Sequence, residues 1–316
     1  MRLREISADR YAREILPQTA PLWAGGRSFD DYAAQTLEIA RGAYGRRSYR
    51  TIGLFEQRRC VATFKHYDRT MRHNGKRLRA IGLGAVFTPP EQRGRGYASV
   101  MVAMALDRAH RDRYDLAYLF SDIRPQFYAA IGFRTLPSRR FSVRADLLPS
   151  ARLDLTTPGD DWKDVRRLYD RMERRAVLGF ARSAPVWEWI RTCARQGAAY
   201  RSGYETNLIA RHRGRAAAYI LGVRDPEKDV YVVREFGFDR SGERIIGPLL
   251  RAAAGDLRRL SGWLPPSGAR EILPKPAVGA RKHSIFMMAP LSREGEAALD
   301  AALAERAEVA WSSDHV

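Results

Sequence analysis

The sequence predicts an α/β (α+β) protein of two tandem halves, each a mixed sheet flanked by helices, followed by a C-terminal helix and tail. Three observations carry this expectation. Apolar residues over 1–148 switch between a helical period and a period of two, as alternating helices and strands require. The same theme recurs over 151–291, after Pro149 and the polar stretch Thr156–Asp161. The length of 316 residues suits two ordinary domains. The expected units are therefore 1–148, 151–291 and a closing segment 292–316.

Residues 2–6 read as a first strand, and Ser7 as the N-cap of an amphipathic stretch that runs to about Trp23. Gly25-Gly26 breaks it, and Asp30 to Tyr44 is a second helical pattern with Tyr32, Leu37 and Ile39 among its apolar positions. The period then changes. Tyr49–Phe55, Cys60–Tyr67 and Leu78–Phe87 are β-rich and bounded by turns such as Asn74-Gly75. A helix to about Arg111, a strand Leu116–Ser121, a short helix Pro125–Ile131 and two short strands complete the first half. The second half reads as helices Trp162–Arg175 and Ala184–Arg195 and strands near Asn207–Ala210, Ala216–Val223 and Tyr231–Phe238. A helix Ile246–Leu260 and a last strand Ser284–Met288 follow. An echo of Arg59–Phe64 in Arg213–Tyr219 supports an internal repeat. Residues 292–310 suggest a closing helix, with Trp311–Val316 a flexible tail unless docked.

Composition narrows the function. The chain holds 55 Lys+Arg against 36 Asp+Glu, a formal charge of +19. The arginines are spread along the chain rather than gathered in one arm, which argues against a dedicated nucleic-acid tail. The field they make favours anionic ligands over polycationic ones. No apolar run approaches the roughly 20 residues of a membrane span, and the charged N-terminus is not a signal peptide, so a cytoplasmic protein is expected. The two cysteines imply no disulfide framework, and the six histidines show no metal-binding spacing.

The segment that carries chemistry is IGLGAVFTPPEQRGRGYAS, residues 81–99. An apolar strand stops at Pro89-Pro90, and Arg93-Gly94-Arg95-Gly96-Tyr97-Ala98-Ser99 opens an apolar helix. Such a turn leaves backbone N–H groups unpaired at the positive end of the helix dipole. The two glycines admit a close backbone approach, and Arg93 and Arg95 add charge, a combination suited to a pyrophosphate. Ser99 at the third glycine position excludes the dinucleotide fingerprint, and the absence of Gly-Lys-Ser/Thr excludes a Walker loop.

This segment resembles the GCN5-related N-acetyltransferase (GNAT) superfamily, whose Arg/Gln-x-x-Gly-x-Gly/Ala signature is met by Arg93, Gly96 and Ala98. About thirty residues on, Tyr128, Gly132 and Phe133 match a second family signature, Tyr-x-x-x-Gly-Phe. The resemblance covers about residues 1–148. The helix–strand repeat over 151–291 further resembles the tandem-domain Eis-type acetyltransferases, without their third, sterol-carrier-like domain. No counterpart of the Arg-x-x-Gly-x-Ala signature occurs near residues 238–247, so the second copy is expected to bind no cofactor. It is expected instead to shape the acceptor pocket and to bury an inter-domain or dimer face, and a homo-oligomer is expected.

The resemblance implies direct transfer of an acetyl group from acetyl-CoA to a small-molecule or peptidic primary amine, through a tetrahedral intermediate. It places the pyrophosphate on the backbone of about Arg95–Ser99, and the pantetheine amides and thioester carbonyl at Ala85, Val86 and Phe87. Tyr128 is the implied acid for the leaving thiolate, since an ordinary phenol keeps its proton at neutral pH. The base is open among His66 and Asp68 at the end of the preceding strand, Asp122 after the fifth strand, and the Val316 carboxylate. Eis-type proteins imply aminoglycosides or lysine side chains as acceptors. The +19 charge argues against a polycation unless Asp30, Asp31 and Glu38 make a locally acidic wall. Two other classes compete. A tRNA-dependent aminoacyl transferase would use the basic surface but has little need of a CoA pyrophosphate loop. A non-catalytic acyl-CoA sensor would bind the thioester without turnover.

Overall fold

The computed structural model describes residues 1–160, 162–198, 203–266 and 272–315. In chain order the first half comprises β1 (Arg2–Ile6), α1 (Ala8–Glu14), α2 (Leu16–Trp23), α3 (Phe29–Arg41), α4 (Gly45–Ser48), β2 (Tyr49–Glu56), β3 (Arg59–His73), β4 (Lys76–Phe87), α5 (Tyr97–Arg111), β5 (Leu116–Ser121), α6 (Pro125–Ala129), β6 (Arg134–Thr135) and β7 (Arg139–Arg144). The second continues with β8 (Asp154–Thr156), α7 (Lys163–Glu173), β9 (Gly179–Ala181), α8 (Ala184–Ala198), β10 (Tyr204–Glu205), β11 (Leu208–His212), β12 (Arg215–Asp225) and β13 (Val230–Phe238). It closes with α9 (Ile246–Ala254), β14 (Arg259–Trp263), β15 (Ala277–Ala280), β16 (Ile285–Pro290) and α10 (Arg293–Ala304). Two mixed eight-stranded sheets flanked by helices result, as two tandem GNAT-like domains require.

The repeat is visible in the topology. The first sheet runs β1-β2-β3-β4-β5-β16-β6, with β9 as an eighth strand on β3, and among the described residues its one parallel pair, β4 with β5, is bridged by α5. The second runs β15-β7-β14-β13-β12-β11-β8, with β10 as an eighth strand on β12, and its parallel pair, β13 with β14, is bridged by α9. In each sheet an antiparallel strand follows the parallel pair, and it comes from the other half of the sequence. β16 pairs with β5 in the register Ile285↔Ser121 to Pro290↔Leu116. β7 pairs with β14 in the register Arg144↔Arg259 to Arg140↔Trp263. The division of the chain near residue 150 therefore does not divide the sheets, because each half supplies a strand to the other.

Two local expectations need correction. The stretch read as one helix to Leu260 stops at Ala254, because Gly255 takes φ 59°, and Arg259–Trp263 becomes the central strand β14. The amphipathic stretch after Ser7 is two helices that meet at Ile15, although Ser7 does cap the first, its side chain accepting from the Arg10 N–H. The tail is docked rather than loose: Trp311, Ser313 and Asp314 are buried.

Helix α5 explains the position of the site. Its buried residues Tyr97, Met101, Val102, Ala105 and Ala109 form one stripe. That stripe packs with Ile81 and Leu83 of β4 and Ala117 and Leu119 of β5, which pins the helix across the parallel pair. The helix N-terminus is thereby held at the end where β4 and β5 part from each other.

Candidate acyl-transfer site

β4 and β5 are hydrogen-bonded only over Ala80–Gly82 against Leu116–Tyr118, and beyond Gly82 they part. On its other side β4 carries a bulge. Thr63 pairs with Phe87 and Lys65 with Gly84, so two steps on β3 face three on β4. Ala85 sits in the bulge at φ 43°, a conformation that costs an L-residue energy and turns the backbone out of the ladder. The residues expected to meet a pantetheine chain, Ala85, Val86 and Phe87, are thus the part of β4 released from β5. Phe87 itself is buried, with its ring edge-on to Trp23 at 6.3 Å, so only its backbone faces the gap.

The loop that follows ends at a bare helix tip. Gly94 and Gly96 take φ 78° and 77°, and a Cβ at either would point into open space. Left-handed φ, not crowding, is what requires glycine here. Gly96 is the N-cap of α5 and offers no side-chain cap, and the first backbone bond of the helix is Val100 N–H to Gly96 C=O, 3.1 Å. The N–H groups of Tyr97, Ala98 and Ser99 therefore have no partner within the helix. Arg93 and Arg95 are exposed beside them. The Tyr97 side chain is turned inward and donates to Glu56 Oε2 at 2.9 Å, so Tyr97 can serve an anion only through its backbone. A left-handed pair of glycines, a donor-rich helix tip and a parted strand pair fit the pyrophosphate and the amide chain of an acyl-CoA.

Across the gap, Tyr128 lies on α6, half-buried, with its ring edge-on to Phe127 at 4.9 Å and Phe133 at 6.0 Å. Burial, reinforced by the negative charge of Asp122, pushes the Tyr128 phenol up to about 12, so it stays protonated. Asp122 follows β5 and accepts from the Ser284 backbone N–H at 2.9 Å and Oγ at 3.2 Å, which ties it to the start of β16. These two sequence-predicted residues are brought together.

His66 is not brought to them. It is buried on the α5 side of β3, in a crevice with Arg108, Asp112 and Tyr114. Arg108 is about 16 Å along the helix from its N-terminus at Tyr97. Burial pulls the His66 pKa down to about 4, against the opposing pull of Asp68, and its Nε2 has no hydrogen-bond partner among the described residues. Asp68 is likewise engaged, accepting from Tyr114 Oη at 2.7 Å. Val316 lies outside the described residues. Of the acidic residues expected on the acceptor wall, all on α3, Glu38 is bound by Arg195 (2.9 Å) and Gln196 (2.6 Å), and Asp31 accepts from the cap residue Ser28.

His315 is the residue that the sequence reading missed. Its imidazole stands edge-on to Phe120 of β5 at 4.8 Å and tilted over Trp263 of β14 at 5.6 Å. Asp122 is near enough to act electrostatically on both His315 and Tyr128. The residue as a whole is exposed, but its ring is shielded on the side of Phe120 and Trp263; that shielding, opposed by Asp122 and assisted by Arg281, draws the His315 pKa below its ordinary 6.5, which favours the neutral base. A buried network fixes the tail. Asp314 Oδ1 is bound by Arg69 at 3.0 Å and by Arg182 at 2.9 Å, and Arg182 also pairs with Glu235 at 2.8 Å. Ser313 bridges Arg182 and Glu235. Within this network two cations and two anions balance.

A family profile described as "Acetyltransferase (GNAT) domain" matches residues 13–136, the segment that holds the bulge, the helix tip and Tyr128. Residues 13–136 thus match the GNAT acetyltransferase domain. Similar solved structures extend the likeness to both halves. A GCN5-related N-acetyltransferase from Anabaena variabilis ATCC 29413 is similar at TM-score 0.71 and 14% identity, over 92% of this chain and 73% of that one. Eis1 from Mycobacterium abscessus is similar at TM-score 0.65 and 13% identity, over 95% and 76%. A tandem GNAT protein from the clavulanic acid biosynthesis pathway is similar at TM-score 0.52 and 13% identity, over 92% and 98%. The chain thus has the tandem, Eis-like form of the GNAT fold. No curated protein matches its sequence significantly. Among the described residues no helix is long and apolar enough to cross a membrane.

Proposed function

We propose that the protein is an N-acetyltransferase that moves an acetyl group from acetyl-CoA to a primary amine. The observation that carries this reading is the parting of β4 from β5 immediately before an uncapped, glycine-bearing helix tip. Acetyl-CoA supplies an activated acyl thioester. The N–H groups of Tyr97, Ala98 and Ser99, with Arg93 and Arg95, would hold its pyrophosphate. The backbone of Ala85–Phe87 would hold its pantetheine amides and the acyl carbonyl, where donors aimed at developing negative charge contribute a few kcal/mol.

The chain's own groups then divide the proton work. Tyr128 Oη carries a proton at neutral pH and serves as the acid for the leaving sulfur. His315, neutral at pH 7, takes the proton of the attacking amine, and the Asp122 carboxylate stabilises the imidazolium that forms. This assignment is tested by thiol release from acetyl-CoA against a panel of amines over pH 5–9. Wild-type protein is expected to lose rate on the acid side as His315 protonates, and His315→Gln to lose both the rate and that limb. An unchanged acid limb in His315→Gln returns the base to another group.

A further inference from the structure

The outer face of the second sheet is open where β7, β14 and β15 meet, and there it forms a groove of ≈ 860 Å³. That volume lies in the range of small-ligand sites, about 300–1,000 Å³. Its charge is one-sided. Arg140, Arg259, Arg281, Lys282 and His283 line it, and among its described lining residues there is no carboxylate. Arg140, Arg259 and Lys282 are exposed and ready to attract a ligand, whereas Arg281 is only 8% exposed.

Arg281 is built as an anchor. Its guanidinium lies 3.5 Å from the centroid of the Trp263 ring, and its Nε and Nη1 have no hydrogen-bond partner among the described residues. The carboxylate that acts on it electrostatically, Glu308, is itself bound by Arg139 Nε at 2.7 Å. Burial lowers the guanidinium pKa to about 10, yet it remains charged at neutral pH. A buried cation with unpaired donors is costly, and an oxyanion is the ligand that relieves it.

The groove leads to the chemistry. Trp263 carries Arg281 at 3.5 Å and His315 at 5.6 Å, and the sum of those two distances is the ceiling on the gap between guanidinium and imidazole. Ser284, at the groove's end, binds Asp122. Building on the acetyltransferase reading, we infer that this groove is the acceptor site, and that the acceptor is a small or peptidic amine carrying a carboxylate or phosphate within a few bonds of the nitrogen. Arg281 takes the oxyanion and the amine reaches past Trp263 to His315. The polycationic aminoglycosides that the resemblance suggested are disfavoured by the same charges.

The test compares O-phosphoethanolamine, β-alanine, ethanolamine and spermidine as acceptors in acetyl-CoA thiol release. It also titrates each calorimetrically into protein saturated with acetyl-CoA. The expected result is that the phosphate- or carboxylate-bearing amine binds at least tenfold more tightly than ethanolamine, and the first two probes tell which oxyanion is preferred. Arg281→Gln, and the exposed variants Arg259→Gln and Arg140→Gln should Arg281→Gln fail to fold, are expected to weaken that preference about tenfold, in KM rather than kcat. Equal binding of all four amines, preference for spermidine, or salt-sensitive binding of a single-stranded RNA without amine binding would overturn the inference. Failure to bind acetyl-CoA in the first titration would instead remove the acetyltransferase reading beneath it.

Discussion

Tyr128 and His66 show how burial decides opposite fates for titratable groups. Burial raises the Tyr128 phenol and keeps its proton available. Tyr128→Phe is therefore expected to lower kcat by about 10²-fold with little change in acetyl-CoA affinity, as steady-state thiol release and calorimetry would show. Burial lowers His66 from 6.5 to about 4, so the folded state holds this imidazole neutral while the unfolded chain binds a proton below pH 6.5. The associated stability is present above pH 6.5 and is lost as pH falls toward 4, about 3 kcal/mol in all. Urea melts of His66→Leu against wild type are expected to show a flatter pH dependence over that interval; parallel curves would contradict it. Tyr128 was legible because its neighbours Gly132 and Phe133 are local in sequence. His315 was not, because its setting is made by Phe120, Asp122 and Trp263, none within fifty residues of it.

At the scale of elements, the strand–loop–helix unit of β4 and α5 could be read almost entirely, since proline, glycine and arginine mark its turn. The strand β14 could not. Its Leu260 continues the helical spacing of Leu249, Leu250, Ala253 and Leu257, and only the left-handed Gly255 breaks the helix. The tail was equally hidden, because its anchors Arg69, Arg182 and Glu235 are distant in sequence. Asp314→Asn leaves the buried Arg69 guanidinium without its counter-charge and Arg182 with Glu235 alone. It is expected to cost about 3–5 kcal/mol in denaturant unfolding. Where the protein still folds, it is also expected to reduce acetyl transfer through displacement of His315. Normal stability and activity would show that the tail is not held by this network.

At the scale of the molecule, the two halves are legible as a repeat, yet their boundary in the sequence is not the boundary of their sheets. β7 completes the second sheet and β16 the first, each through backbone pairing that hydropathy does not encode. Residues 1–148 produced alone lack β16 and α10, and Leu116, Tyr118 and Leu136 lose their cover of Phe286, Met288 and Leu299. That fragment is expected to be unfolded or aggregated by circular dichroism and gel filtration, and to recover when produced together with residues 149–316. A monodisperse, cooperatively melting fragment would contradict the interlocked arrangement.

The most direct test of the account is calorimetric titration of acetyl-CoA into the wild-type protein and into Gly96→Asp. Aspartate tolerates the left-handed backbone at this position better than most residues but sets a carboxylate where the pyrophosphate is expected. The account predicts saturable one-site binding by the wild type and at least a tenfold weaker affinity in the variant, with the fold retained by circular dichroism. No heat with the wild type, or equal affinity in both proteins, would contradict it.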